Sequence, residues 1–321
     1  MLRKLVLVAL VALTVCLAQA STIASAGRLP YRGFTSNSYW NTPIPRRAPI
    51  ATNSRRIVSY LIQTSSPNYV KLAGLSRRGT WGMPTYWGKR SDPTFAVANR
   101  CSWPQPPELR KVHIPLGALP DASSDSAMVV YNRSSGKVFH LWHASHSIGL
   151  PHWRGCGSVY YLHSNGLAGD VRGSNDRRNR GHLGIPPTIT AIRLAEIRAQ
   201  AIRHVLWMHV HHVKCTYVWP MDGTQCGTRN RYAPPEGVRI RIKPGVRLKR
   251  LHLGRAGLTV ARALKTYGAI IGDMSGDSAV IKVENTVAEG RGFKWGGILR
   301  AAALKRIPLR DFQVIRPGWR P

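Results

Sequence analysis

The sequence predicts a mainly β fold, a jelly-roll or β-sandwich-like single domain with a few short helices. Three observations point there. Short apolar runs alternate with period two, turn-forming clusters of Gly, Pro, Ser and Asn separate them, and stretches of helical period are few. Thirty glycines and 22 prolines punctuate 321 residues, while 43% hydrophobic residues and ten tryptophans supply a core. No composition break or internal repeat divides the chain, so one β-rich extracellular domain is expected over residues 21–321.

The elements follow in order. Arg3 and Lys4 precede an uncharged apolar run, Leu5 to Leu17, and small residues follow at Ala18-Gln19-Ala20. That is the order of a secretory signal peptide, expected over residues 1–20, with Ala24-Ser25-Ala26 as a second cleavage site. The run is short of the roughly 20 residues that span a bilayer, so no transmembrane anchor is expected after cleavage. Residues 21–47 read as extended, pinned by aromatics around Tyr39-Trp40-Asn41-Thr42-Pro43. Ser54 opens a short helix through Ile57, Leu61 and Ile62. Residues 64–125 read as short strands and loops.

Ala127–Tyr131 and Lys137–His146 flank Arg133-Ser134-Ser135-Gly136 and read as a hairpin. Its second strand places Val138, His140, Trp142, Ala144 and His146 on one face. Residues 164–187 form a long glycine-rich loop, a kind that often carries function. A short helix over Ala191–Ala201 and a strand over Val205–Val213 follow. Val238, Ile240 and Ile242 face inward, leaving Arg239, Arg241 and Lys243 as a basic outer face. Leu258–Tyr267 is helical and closed by Gly268. A second hairpin joins Ala269–Ile271 to Ala279–Val283, and residues 297–306 suggest a last helix. Asn132-Arg133-Ser134 matches a glycosylation sequon, a weak three-residue signal.

The formal net charge is +33, with 35 arginines, 12 lysines and only 14 acids. Such a balance attracts polyanions. The basic residues are scattered, and no recognition helix, zinc-finger spacing or RNP pattern appears. A polysaccharide or an anionic cell-envelope polymer is therefore the expected partner, with no specific nucleic acid. Once Cys16 leaves with the leader, Cys101, Cys156, Cys215 and Cys226 remain, an even number that reads as disulfides. Cys215 and Cys226 bracket a short loop and are natural partners, which would leave Cys101 with Cys156; three pairings are formally open. No C-x-x-C spacing favours zinc.

With so few carboxylates the catalytic candidates are Asp125, Asp170, Glu196, Asp222 and Asp273. Glycoside hydrolysis wants two of them across a cleft, but among so many cations an ordinary ion pair is the commoner fate. His140, Trp142 and His146 on one strand face suit sugar stacking and hydrogen bonding. His209 and His211 have the spacing of a metal pair, but strand histidines more often hydrogen-bond locally or sit exposed, and no metal or cofactor is expected. β-Elimination from a uronic-acid polymer needs cations and a proton-moving Tyr or His; Arg172, Arg180 and Arg203 with His182, His204 and Tyr217 offer them. Neither a G-x-S-x-G elbow nor a phosphate-cradling glycine loop is present.

The block Asn179-Arg-Gly-His182-Leu-Gly-Ile-Pro-Pro187, with Glu196 and Ile202-Arg-His204-Val-Leu-Trp207, resembles a group of secreted proteins from high-GC Gram-positive bacteria. Ala263–Asp273 and Tyr39–Pro43 extend the resemblance over most of the mature chain. It implies a secreted, β-rich, carbohydrate-active protein and carries no catalytic residue across. The expectation is a secreted protein that cleaves an extracellular, anionic polysaccharide, by hydrolysis or elimination, with a non-catalytic glycan-binding protein as the rival. Asp125, Glu196, His204 and Asp273 are the catalytic candidates, and Trp142, His140, Arg180 and His182 the substrate-binding ones.

Overall fold

The structure, a computed structural model, describes residues 29–147 and 149–321, and the expected leader lies outside them. In chain order the strands are β1 (Lys71–Ala73), β2 (Thr85–Gly88), β3 (Thr94–Asn99), β4 (Val112–His113), β5 (Met128–Asn132), β6 (Lys137–Ser145) and β7 (His152–Tyr161). They continue as β8 (Leu206–Val210), β9 (Lys214–Tyr217), β10 (Pro235–Glu236), β11 (Arg239–Ile242), β12 (Ala269–Met274), β13 (Val280–Lys282) and β14 (Phe312–Val314). The α-helices are α1 (Ser54–Thr64), α2 (Leu194–Arg198) and α3 (Gly254–Thr266).

Two six-stranded sheets organise Arg32–Pro321 in a mainly β, sandwich-like arrangement. The first runs β2-β5-β6-β7-β3-β4 and the second β1-β13-β8-β12-β11-β14, with β9 and β10 as a separate pair. The pairs β2–β5, β3–β7, β1–β13 and β8–β12 are parallel, whereas a jelly roll is an antiparallel architecture.

Each sheet has its own core. Met128, Val130, Phe139, Leu141 and Val159 pack with Leu109 and Ile114 behind the first sheet. Leu206, Met208, Val210, Ile240, Ile271 and Ile281 pack with Ile57 and Leu61 of α1 and Val260 and Leu264 of α3 behind the second. Alternation then sends the intervening residues of β6 and β8 the other way. His140 and Trp142 leave one sheet and Trp207 and His209 the other, and the His140 and Trp207 rings meet edge to face at 6.4 Å.

The first hairpin forms as the sequence predicts. Met128 pairs with Leu141 and Asn132 with Lys137, and Gly136 takes the left-handed conformation that ends the turn (φ 66°). The face assignment needs correction beyond Trp142. His143 has φ 50° and the β6–β7 register slips there, so Ala144 joins the core behind the first sheet and His146 stacks on Trp153 at 5.0 Å.

The second hairpin is also corrected. β12 and β13 do not pair, because β8 lies between them, parallel to β12 and antiparallel to β13. Residues 297–306 form turns without an α-helix. Asn132 is buried, with its side chain on the backbone N–H and carbonyl of His113, so the sequon is closed to a glycan.

Nor is the outer face of β11 exposed. Arg239 donates to the Thr42 carbonyl at 2.7 Å, and Arg241 to those of Pro45 and Arg46 at 2.8 and 2.9 Å. A strap of residues 39–46 thus covers both guanidinium groups. Carbonyl dipoles, in place of carboxylates, satisfy these buried donors.

Candidate functional site

A cleft of about 1510 Å³ opens between the uncovered faces of the two sheets. Its floor comes from the alternate residues of β6, β8 and β12. In the β8–β12 ladder the register slips between Ile271 and Asp273, which brings Asp273 opposite His209. His209 Nδ1 then lies 3.3 Å from Asp273 Oδ2. A carboxylate at Nδ1 orients the ring and favours the tautomer with its proton there, which turns Nε2 to the cleft side. Burial alone would raise the Asp273 carboxyl, but His209, His182 and a hydrogen bond from Gln225 outweigh it and hold it below the usual range.

His209 Nε2, His140 Nε2 and Trp207 Nε1 are all buried without a hydrogen-bond partner. The Trp207 ring stands 4.4 Å from that of His209, so the three nitrogens belong to one patch. Native structures leave few buried polar atoms unpaired, and a cluster of them in a cleft fits a site built for a ligand. Burial, with the nearby His182 and Lys282, pulls His140 down to about 3, which keeps its ring neutral at ordinary pH.

His182 comes from the glycine-rich loop. Gln225 Nε2 donates to its Nε2 at 3.3 Å, and Gln225 is itself oriented by the Met274 N–H at 3.1 Å. The Cys215–Cys226 disulfide fixes the loop that carries Gln225 and Asp222, and Cys101–Cys156 ties the loop carrying Trp103 to β7. Both pairings are the ones expected.

The walls carry aromatic rings and charges of both signs. Lys282 Nζ holds Asp125 Oδ2 at 2.9 Å and lies 5.9 Å from the Trp81 ring centre. Arg177, Arg178 and Arg180 add charge on the opposite loop. Trp81 and Trp103 are about half exposed, at 45% and 47%, and so present flat apolar faces to an occupant.

Six of the eight sequence candidates therefore meet in the cleft: Asp125, Asp273, His140, Trp142, Arg180 and His182. Asp125 is there as the partner of Lys282. Glu196 and His204 are not in it. The Glu196 carboxylate is buried at the start of α2, where it accepts from the Arg193 N–H at 2.9 Å, the Arg193 guanidinium at 2.6 Å and His204 Nε2 at 3.0 Å. These two residues are structural.

The elimination set divides similarly. Arg172, Arg203 and Tyr217 lie outside the cleft lining. His211 turns away to the Gly276 carbonyl, so the His209–His211 pair does not form. Among the described residues, no group of three or more His, Cys, Asp or Glu side chains is arranged to hold a metal ion.

The sequence reading missed Trp207, Lys282 and Gln225. The alternation of Leu206, Met208 and Val210 against Trp207 and His209 was a usable signal for the first. Gln225 gave none, because its position depends on the disulfide loop. Comparison with protein-family models, curated proteins and solved structures finds no match in any of the three.

Proposed function

We propose that this chain is a secreted polysaccharide lyase acting on an acidic, uronate-containing polymer. The observation that carries the reading is the His209–Asp273 pair on the floor of a tryptophan-lined cleft that also holds Lys282 and Arg180. β-Elimination requires a base at the sugar C5, charge neutralisation of the adjoining carboxylate and a surface that orients the ring. His209 Nε2, backed by Asp273, takes the C5 proton. Lys282 and Arg180 face the carboxylate, and Trp142 and Trp81 support the sugar rings. Two disulfides accord with an oxidising, extracellular setting, and no helix among the described residues is long and apolar enough to cross a membrane.

The purified protein is tested on a panel of neutral and acidic polysaccharides, following absorbance of unsaturated uronic products alongside reducing ends. The expected result is absorbance with acidic polymers only, lost in folded His209→Ala. Reducing ends without absorbance would replace elimination by hydrolysis. Binding without turnover would leave a glycan-binding protein, a reading favoured by the exposed Trp81 and Trp103 at the mouth.

A further inference from the structure

A second group of titratable side chains stands on the cleft wall and has no part in the base just described. Asp170 comes from the glycine-rich loop and Asp222 from the Cys215–Cys226 loop, and both line the cleft. Their carboxyl groups lie within hydrogen-bonding reach of each other. Two ionised carboxylates so close repel strongly, and a proton on one of them turns that repulsion into a hydrogen bond. Burial first, and the Asp170 carboxyl second, push Asp222 up to about 7.

The Tyr160 hydroxyl is wholly buried, has no hydrogen-bond partner and lies close enough to feel the charge of both carboxyls. It reaches this position because residue 181 is glycine; a Cβ there would stand 2.5 Å from the hydroxyl. Arg180 lies beside the same pair, with one guanidinium nitrogen engaged by the carbonyls of Arg177 and Asn179. The group also adjoins the base side of the cleft, because the Asp222 N–H bonds the carbonyl of Leu183, the residue after His182. A carboxyl–carboxyl pair with an unspent buried hydroxyl fits proton delivery to an incoming oxygen better than a structural ion pair.

We infer that Asp222, paired with Asp170, is the acid that protonates the departing glycosidic oxygen, an assignment that rests on the lyase reading. In the step, His209 removes the proton from C5 and the C5 electron pair forms the C4=C5 double bond. The C4–O4 bond breaks, and O4 takes its proton from Asp222. His209 ends protonated and the Asp170–Asp222 pair ends without its proton; water carries one proton back between them.

The test compares Asp222→Asn on the acidic polymer and on a uronide bearing fluoride at C4, a leaving group that needs no proton. On the polymer kcat should fall by roughly 10²–10⁴-fold, while on the fluoride the loss should be less than about tenfold. Asp170→Asn supplies a second readout. It removes the carboxylate that retains the proton, so the alkaline limb of the kcat profile on the polymer should move to lower pH. Equal loss on both substrates, or an unmoved limb in folded Asp170→Asn, overturns the acid assignment. Wild-type turnover with Asp222→Asn undiminished overturns it alone, whereas a wild type that releases no unsaturated product from any acidic polymer overturns the lyase reading as well.

Discussion

Glu196→Ala removes a carboxylate on which the Arg193 N–H, the Arg193 guanidinium and His204 all depend. Arg193 and Glu196 are 7% and 2% exposed, so water cannot replace what is lost. Breaking a buried ion pair from one side costs roughly 3–5 kcal/mol. A second route gives a similar figure. Burial would raise the Glu196 carboxyl, but Arg193 and His204 overcome it and hold it at about 2 in place of 4.5, which is worth about 3 kcal/mol at neutral pH.

For a domain of this size each kcal/mol moves Tm by roughly 2–4 °C, so a fall of about 10 °C is expected by calorimetry at pH 7. The sign with pH is fixed. A carboxyl lowered in the folded state stabilises fully above its unfolded value and loses that contribution as pH falls from 4.5 towards 2. The Tm gap between wild type and variant should therefore narrow over that window. Turnover per folded molecule, measured well below the variant's Tm, should stay within about twofold of wild type. Collapse of turnover with an unchanged Tm would refute the structural role and return Glu196 to the catalytic set.

The other expectations rest on separate contacts. Asp273→Asn should lower kcat by roughly 10²–10⁴-fold with little change in KM, since it frees the His209 tautomer without touching the walls; steady-state kinetics on the best acidic polymer would show it. Trp142→Ala should weaken polymer affinity about tenfold, near 1.4 kcal/mol by titration calorimetry, and leave Tm almost unchanged. Arg241→Met strands the carbonyls of Ile44, Pro45 and Arg46 that its guanidinium serves, so Tm should drop and limited proteolysis within residues 39–48 should accelerate. Replacing Cys101 and Cys156 together by serine opens a link across 55 residues, an expected loss of about 4 kcal/mol in urea unfolding.

What the sequence revealed was local. The Ala127–His146 hairpin was legible because turn chemistry and alternation lie within 20 residues of each other, and the Cys215–Cys226 pairing because its loop is short. Errors arose where a distant segment decides the outcome. Ala269–Ile271 and Ala279–Val283 look like hairpin arms until β8, more than 50 residues earlier, is inserted between them. Arg239 and Arg241 read as solvent-facing because the strap that covers them is nearly 200 residues away. Glu196 and His204 read as catalytic candidates because an ion pair closed within one short helix and the loop after it leaves the same trace in sequence as a catalytic pair.

The site itself was only half legible for a more specific reason: two of the three strands that build it, β6 and β12, break the period-two rule at the point of use. On β6, His140 and Trp142 face the cleft; then His143 adopts φ 50° and Ala144 drops into the core behind the first sheet. Had the alternation continued, Ala144 and His146 would have stayed on the cleft side. On β12, Gly272 and Asp273 together oppose His209. Glycine at 272 takes up the extra length without displacing its neighbours, since a Cβ would meet Ile185 at 2.8 Å and the Trp207 indole nitrogen at 3.2 Å. Each slip gives up regular ladder pairing and bends its strand, a cost the packing on both sides must sustain. What the slips produce is the Asp273–His209 contact and a polar floor that ends at Trp142. Sequence rules built on regular strands lose those side chains for the same physical reason that the cleft acquires them.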